Sequence, residues 1–146
     1  MSEALDTAFR AVLIGIGATL CLDLWSLLLK MAFHAPFPNY SMVGRWIAGF
    51  WRGRFVHPEI GSAPAVANER VIGWAAHYAI GILHAFLLLA VAGSGWLSMP
   101  TLLPALVVGV STVVAPLFVM QPAMGAGMAS SKAPNPNIAR LRSLLA

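Results

Sequence analysis

The chain has 146 residues, 59% of them hydrophobic and only 10% charged, with a formal net charge of +4 and a mean hydropathy of +0.79. A water-facing surface carries about 25% charged residues, so an ordinary soluble domain is excluded. The apolar fraction, the lone Cys21 and the lack of a glycine period exclude disorder, a disulfide scaffold and a collagen-like fibre as well. The nine Lys and Arg are scattered between apolar stretches and form no continuous basic face, so no nucleic-acid partner is expected. The pattern predicts an all-α membrane protein whose solvent is a lipid bilayer.

The first apolar run, Ala11 to Leu29, is bounded by Arg10 and Lys30 and interrupted by one charge, Asp23. Nineteen residues make roughly 28 Å of helix, which matches a hydrocarbon core of about 30 Å. The run is too long for the apolar region of a secretory signal, so a retained transmembrane helix is predicted. An ionisable residue inside such a helix is costly and is expected to face a partner or water. Gly15, Gly17 and Ala18 form a stripe of small residues that invites close helix contact.

The connection from His34 to Arg70 is too long for a turn and too aromatic for a solvated loop. Within it Met42 or Val43, Trp46, Ile47 and Phe50 recur at helical spacing, with Ser41 placed to cap. A short helix over residues 41–51 is predicted to lie in the headgroup region. Trp46 and Trp51 would face the apolar side, and Arg45 and Arg54 would reach lipid phosphate. The alternative is a loop packed on the ends of the spans. Pro36, Pro38, Pro58 and Pro64 mark the rest as irregular.

The second span, Val71 to Ala92, holds no Asp, Glu, Lys or Arg, only the titratable His77 and His84, and it ends at Gly93-Ser94-Gly95. Trp74, His77, Gly81, His84 and Leu88 share one seam. Gly73 and Gly81 are its small contact residues. The third span, Leu102 to Met120, tolerates Pro104 in its first turn, while Pro116 is expected to kink it. Asp23 lies seven residues from Lys30 and His77 six residues past Val71. These distances place both about 10 Å from the same boundary. An antiparallel helix pair therefore predicts an Asp23 to His77 hydrogen bond. It would serve as a proton relay or ligand site, or simply fix helix packing.

Lys30, Arg45, Arg52, Arg54, Arg70, Lys132, Arg140 and Arg142 flank or fill one set of connections, and only Arg10 lies on the other side. The positive-inside rule then predicts three spans with the N-terminus outside and the C-terminus cytoplasmic.

The blocks Pro38-Asn39-Tyr40, Val43-Gly44-Arg45-Trp46, Gly53-Arg54-Phe55-Val56-His57, Gly73-Trp74 with His77-Tyr78, and Gln121 through Gly127 resemble a bacterial family of small integral membrane proteins. That family is known only as a domain of unknown function, and the resemblance covers most of the chain. It implies a polytopic inner-membrane protein and implies no activity. Members continue into a fourth apolar helix after the segment matching Arg140 to Leu145. A shortened or truncated member is therefore expected here, since Ala146 falls where that helix would begin.

Other chemistry is thinly supported. His77 and His84 share a face but stand about 10 Å apart along the helix, too far to hold one metal ion. Haem could be held by one of them only with a histidine from another chain or helix. Met120, Met124 and Met128 have spacing suited to Cu(I), but Gly125 and Gly127 weaken a helix there. Gly125-Ala126-Gly127 lacks the spacing of a phosphate loop. No catalytic residue, zinc spacing or internal repeat is recognisable, and neither metal nor cofactor is expected. The expected role is a non-enzymatic subunit of a membrane complex, associating with itself or with other proteins. The alternatives are a small proton-coupled carrier using Asp23 and His77, and a haem- or quinone-binding redox subunit.

Overall fold

The structure, a computed structural model, describes residues 2–132 and 135–145, and the described chain is helical without strands. Helix α1 covers Glu3–Phe33, which begins eight residues before the predicted span and ends four after it. Glu3 and Asp6 lie in its first turn, where carboxylates complement the helix dipole. Asp6 also accepts from Arg10 at 2.7 Å, one turn on. The helix stops at His34, which takes a left-handed conformation with φ 53°. Helix α2 covers Tyr40–Phe50 and is capped by Asn39, whose side chain accepts from the Ser41 N–H at 3.2 Å. The predicted cap, Ser41, is thus already in the first turn. Asn39 takes its place because its short carbonyl reaches the amide two residues on.

Helix α3 covers Glu69–Ala92. Helix α4 covers Leu102–Thr112, followed by a π turn at Pro116–Met120 and a single helical turn at Gln121–Ala123. The expected kink at Pro116 takes the form of this π turn, closed by the Gln121 N–H donating to the Pro116 carbonyl. Proline has no N–H to continue the regular ladder. Three elements, Glu3–Phe33, Glu69–Ala92 and Leu102–Ala123, are long and apolar enough to cross a membrane. A last helix covers Pro136–Leu145. Ala146 lies outside the described residues, as does the side chain of Arg142.

Contacts divide the chain into two compact units, Met1–Phe37 with His77–Ser111, and Pro38–Ala76 with Thr112–Ala146. In the first unit α1 meets α3 along a seam that recurs every fourth residue: Ala11, Gly15, Thr19 and Asp23 are its buried positions. A methyl group at Gly15 would sit 2.5 Å from the Ile82 Cα, and one at Gly81 would overlap the Thr19 hydroxyl. The backbones therefore approach as closely as small residues allow. Gly17 faces open space and Ala18 is exposed, so the predicted small stripe is corrected to one set by four-residue spacing.

In the second unit α2 crosses the start of α3 at two glycines. A side chain at Gly44 would collide with the Glu69 carbonyl, and one at Gly73 with the Tyr40 carbonyl. The following irregular chain is pinned by backbone bonds, His57 N–H to the Ala123 carbonyl at 2.7 Å and Ile60 N–H to the Met124 carbonyl at 3.0 Å. Gly125, at φ +89°, lies so close to the Pro58 carbonyl that no side chain would fit.

Candidate functional site

The intramembrane polar cluster grows out of the α1 seam. Asp23 is the fourth small or polar residue of that stripe and is buried. Its Oδ1 shares a hydrogen bond of 3.0 Å with the Nε2 of His77, and the Tyr78 hydroxyl donates to its Oδ2 at 3.1 Å. The two rings meet edge to face, with centroids 5.6 Å apart. Each carboxylate oxygen thus has its own partner, which is what lets a charge-bearing group persist in an apolar helix pair. The arrangement places a carboxylate and an imidazole within one hydrogen bond, the distance across which a proton can pass.

Tyr78 was not foreseen from the sequence. Neighbouring residues on a helix point about 100° apart, so a seam drawn through His77 leaves Tyr78 out. The phenol reaches because it is long, and the signal available was an aromatic hydroxyl adjacent to an intramembrane histidine. His84 lies two turns further along α3, is half-buried and forms no side-chain hydrogen bond among the described residues. The structure does not bring it into the Asp23 cluster. No group of three or more His, Cys, Asp or Glu side chains suited to a metal ion occurs among the described residues.

The predicted interfacial anchors divide. Trp51 and Arg54 are exposed. Trp46 is half-buried: its indole N–H donates to the Phe55 carbonyl at 2.8 Å, and its ring packs edge-on against Phe50 at 4.8 Å. Arg45 is a correction. Instead of reaching outward to lipid phosphate, its guanidinium grips Glu69 through two parallel bonds of 2.8 Å. It also donates to the carbonyls of Ile60 at 3.1 Å and Ala63 at 2.6 Å. A planar fork matched to a carboxylate outcompetes a single contact at the surface. The Glu69 carboxylate holds the Arg45 guanidinium above its ordinary pKa range. Glu69 completes the clamp by accepting from the Val66 N–H at 2.9 Å. The sequence signal for this pair was an acidic residue opening an apolar span opposite an arginine on the preceding helix.

Three spanning-length helices with a polar cluster within the α1 and α3 pair define the class of small multi-pass helical membrane proteins. The chain belongs to the family described as Protein of unknown function (DUF2938), whose model matches residues 12–146. No curated protein and no solved structure matches the chain.

Proposed function

We propose that the protein is a non-enzymatic, cofactor-free subunit of a bacterial inner-membrane complex, with its N-terminus outside and its C-terminus cytoplasmic. The observation that carries this reading is the third span, in which only 6% of the most apolar stretch is buried, against 17% in each of the other two. Lipid alone can cover such a helix, but a span that packs so little on its own chain contributes most when it packs on another. Helix association in a bilayer rests on close packing and interhelical hydrogen bonds. Photo-crosslinking residues placed at Val110 and Phe118, both exposed, test the reading in intact membranes. Adducts of discrete mass with another polypeptide, either a second copy or a partner, are expected. Adducts with lipid alone at both positions would defeat it.

A second reading, a small proton-coupled carrier, is favoured by the Asp23 cluster, because two titratable side chains share a hydrogen bond at membrane depth. It requires the cluster to change protonation during a transport cycle. The two readings separate on whether Asp23 matters only for stability.

A further inference from the structure

The end of α2 builds a small basic pocket in the second unit. Arg52, Arg54 and His57 line it together with Arg45, Gly49 and Val66, around a shallow space of about 60 Å³. Its geometry starts from two glycines. Gly53 adopts φ +67°, a left-handed conformation that turns the chain at the helix end. The amides of both Arg52 and Arg54 then return to the Gly49 carbonyl, at 2.9 and 3.0 Å. Gly49 itself is bare: a methyl group there would sit 2.8 Å from the Arg54 carbonyl and 3.1 Å from the His57 ring. The sequence thus clears a place for the imidazole and sets two arginines on either side of a turn.

The charges that line the pocket are not balanced. The charge of Arg45 is matched by Glu69, whereas Arg52 and Arg54 have no carboxylate partner among the described residues. An anion with several oxygens answers them, because guanidinium groups donate to phosphate. The surroundings select the source of that phosphate. Trp51, Phe55 and Val56, flanking the arginines in sequence, are 92%, 58% and 70% exposed, an apolar rim suited to acyl chains and not to bulk water.

We propose that this pocket binds the phosphate of an anionic phospholipid headgroup, with Arg52 and Arg54 as its donors. Basic pockets beside membrane helices bind headgroups in this way. The test uses the full chain in detergent micelles, with retained lipid counted by native mass spectrometry during titration with phosphatidylglycerol, phosphatidylcholine or inorganic phosphate. Phosphatidylglycerol is expected to fill one saturable site that phosphatidylcholine does not. Each arginine contributes about 1 kcal/mol near a lipid surface, so Arg54→Gln should weaken the site about fivefold, and Arg52→Gln with Arg54→Gln about 25-fold. Lys30→Gln, an equal loss of charge elsewhere, should change it less than twofold. The proposal fails if the double variant binds as the parent does, or if Lys30→Gln costs as much as Arg54→Gln. It also fails if phosphatidylcholine is held equally well. Inorganic phosphate that binds as tightly and displaces the lipid would show a free-phosphate site instead.

Discussion

A carboxylate inside an apolar span costs free energy unless its oxygens find partners, and Asp23 meets one partner for each oxygen, His77 and Tyr78. Removing either partner leaves a buried polar atom short, at a cost of about 1 to 3 kcal/mol before relaxation. Hydrogen bonds between membrane helices average only about 0.6 kcal/mol in double-mutant cycles, because separated helices also find partners. The informative quantity is therefore the coupling. Asp23→Asn and His77→Gln, alone and combined, should lose thermal stability non-additively in detergent, and strict additivity would mean the contact carries no energy. The same variants reconstituted in liposomes decide between the functional readings. Proton flux present in the parent and lost in Asp23→Asn would favour the carrier, and no flux in either would favour the subunit. The pairing was legible in the sequence because helical rise converts residue number into depth. Tyr78 was not, because that conversion fixes depth and says little about the reach of a long side chain one position off the seam.

At the scale of the element, contact between α1 and α3 depends on what is missing from the side chains. Gly81 receives the Thr19 hydroxyl in the space a Cβ would occupy, and that hydroxyl donates to the Gly15 carbonyl at 2.7 Å. Gly81→Leu should separate the helices and destabilise the protein by about 1 to 3 kcal/mol, as overpacking does. Gly17→Leu, at a position facing open space, should leave the melting temperature nearly unchanged. Equal losses in the two variants would contradict the seam. The spans, the short helix in the first connection and the disturbance at Pro116 were all readable, since each follows from apolar length, helical spacing or a missing N–H. The contact faces were only half readable. Composition places Gly15, Gly17 and Ala18 together, and only the four-residue spacing of Ala11, Gly15, Thr19 and Asp23 shows which of them touch α3. The crossing at Gly44 and Gly73 was hidden because α2 gave no periodic sign of its partner.

For the whole molecule, the division of eight positive residues against one sets the expected topology. In a background with Cys21 replaced by serine, single cysteines beside Arg54 and beside Gly95 should react with a membrane-impermeant reagent from opposite sides, the first from the cytoplasm. Labelling of both from one side would remove the three-span arrangement. Membrane character is written plainly in composition, since every apolar run must reach bilayer length. Activity is not, because the chain carries no motif whose spacing implies one chemistry, and the polar cluster that could carry function has the same residues as one that only holds helices together.

The clamp formed by Arg45, Glu69 and Val66 has a dynamic consequence. Residues 60–66 have no helical ladder to protect them; beside the backbone bonds of Ile60 N–H to Met124 and Ala63 N–H to Ile60, a guanidinium grips the carbonyls of Ile60 and Ala63 while Glu69 holds the Val66 amide. Releasing the fork loosens the Ile60 and Ala63 carbonyls and the Val66 amide together. In hydrogen exchange the Val66 amide, though it lies outside any helix, should exchange only as the clamp opens, and that slow loop proton would report the integrity of the crossing between α2 and α3.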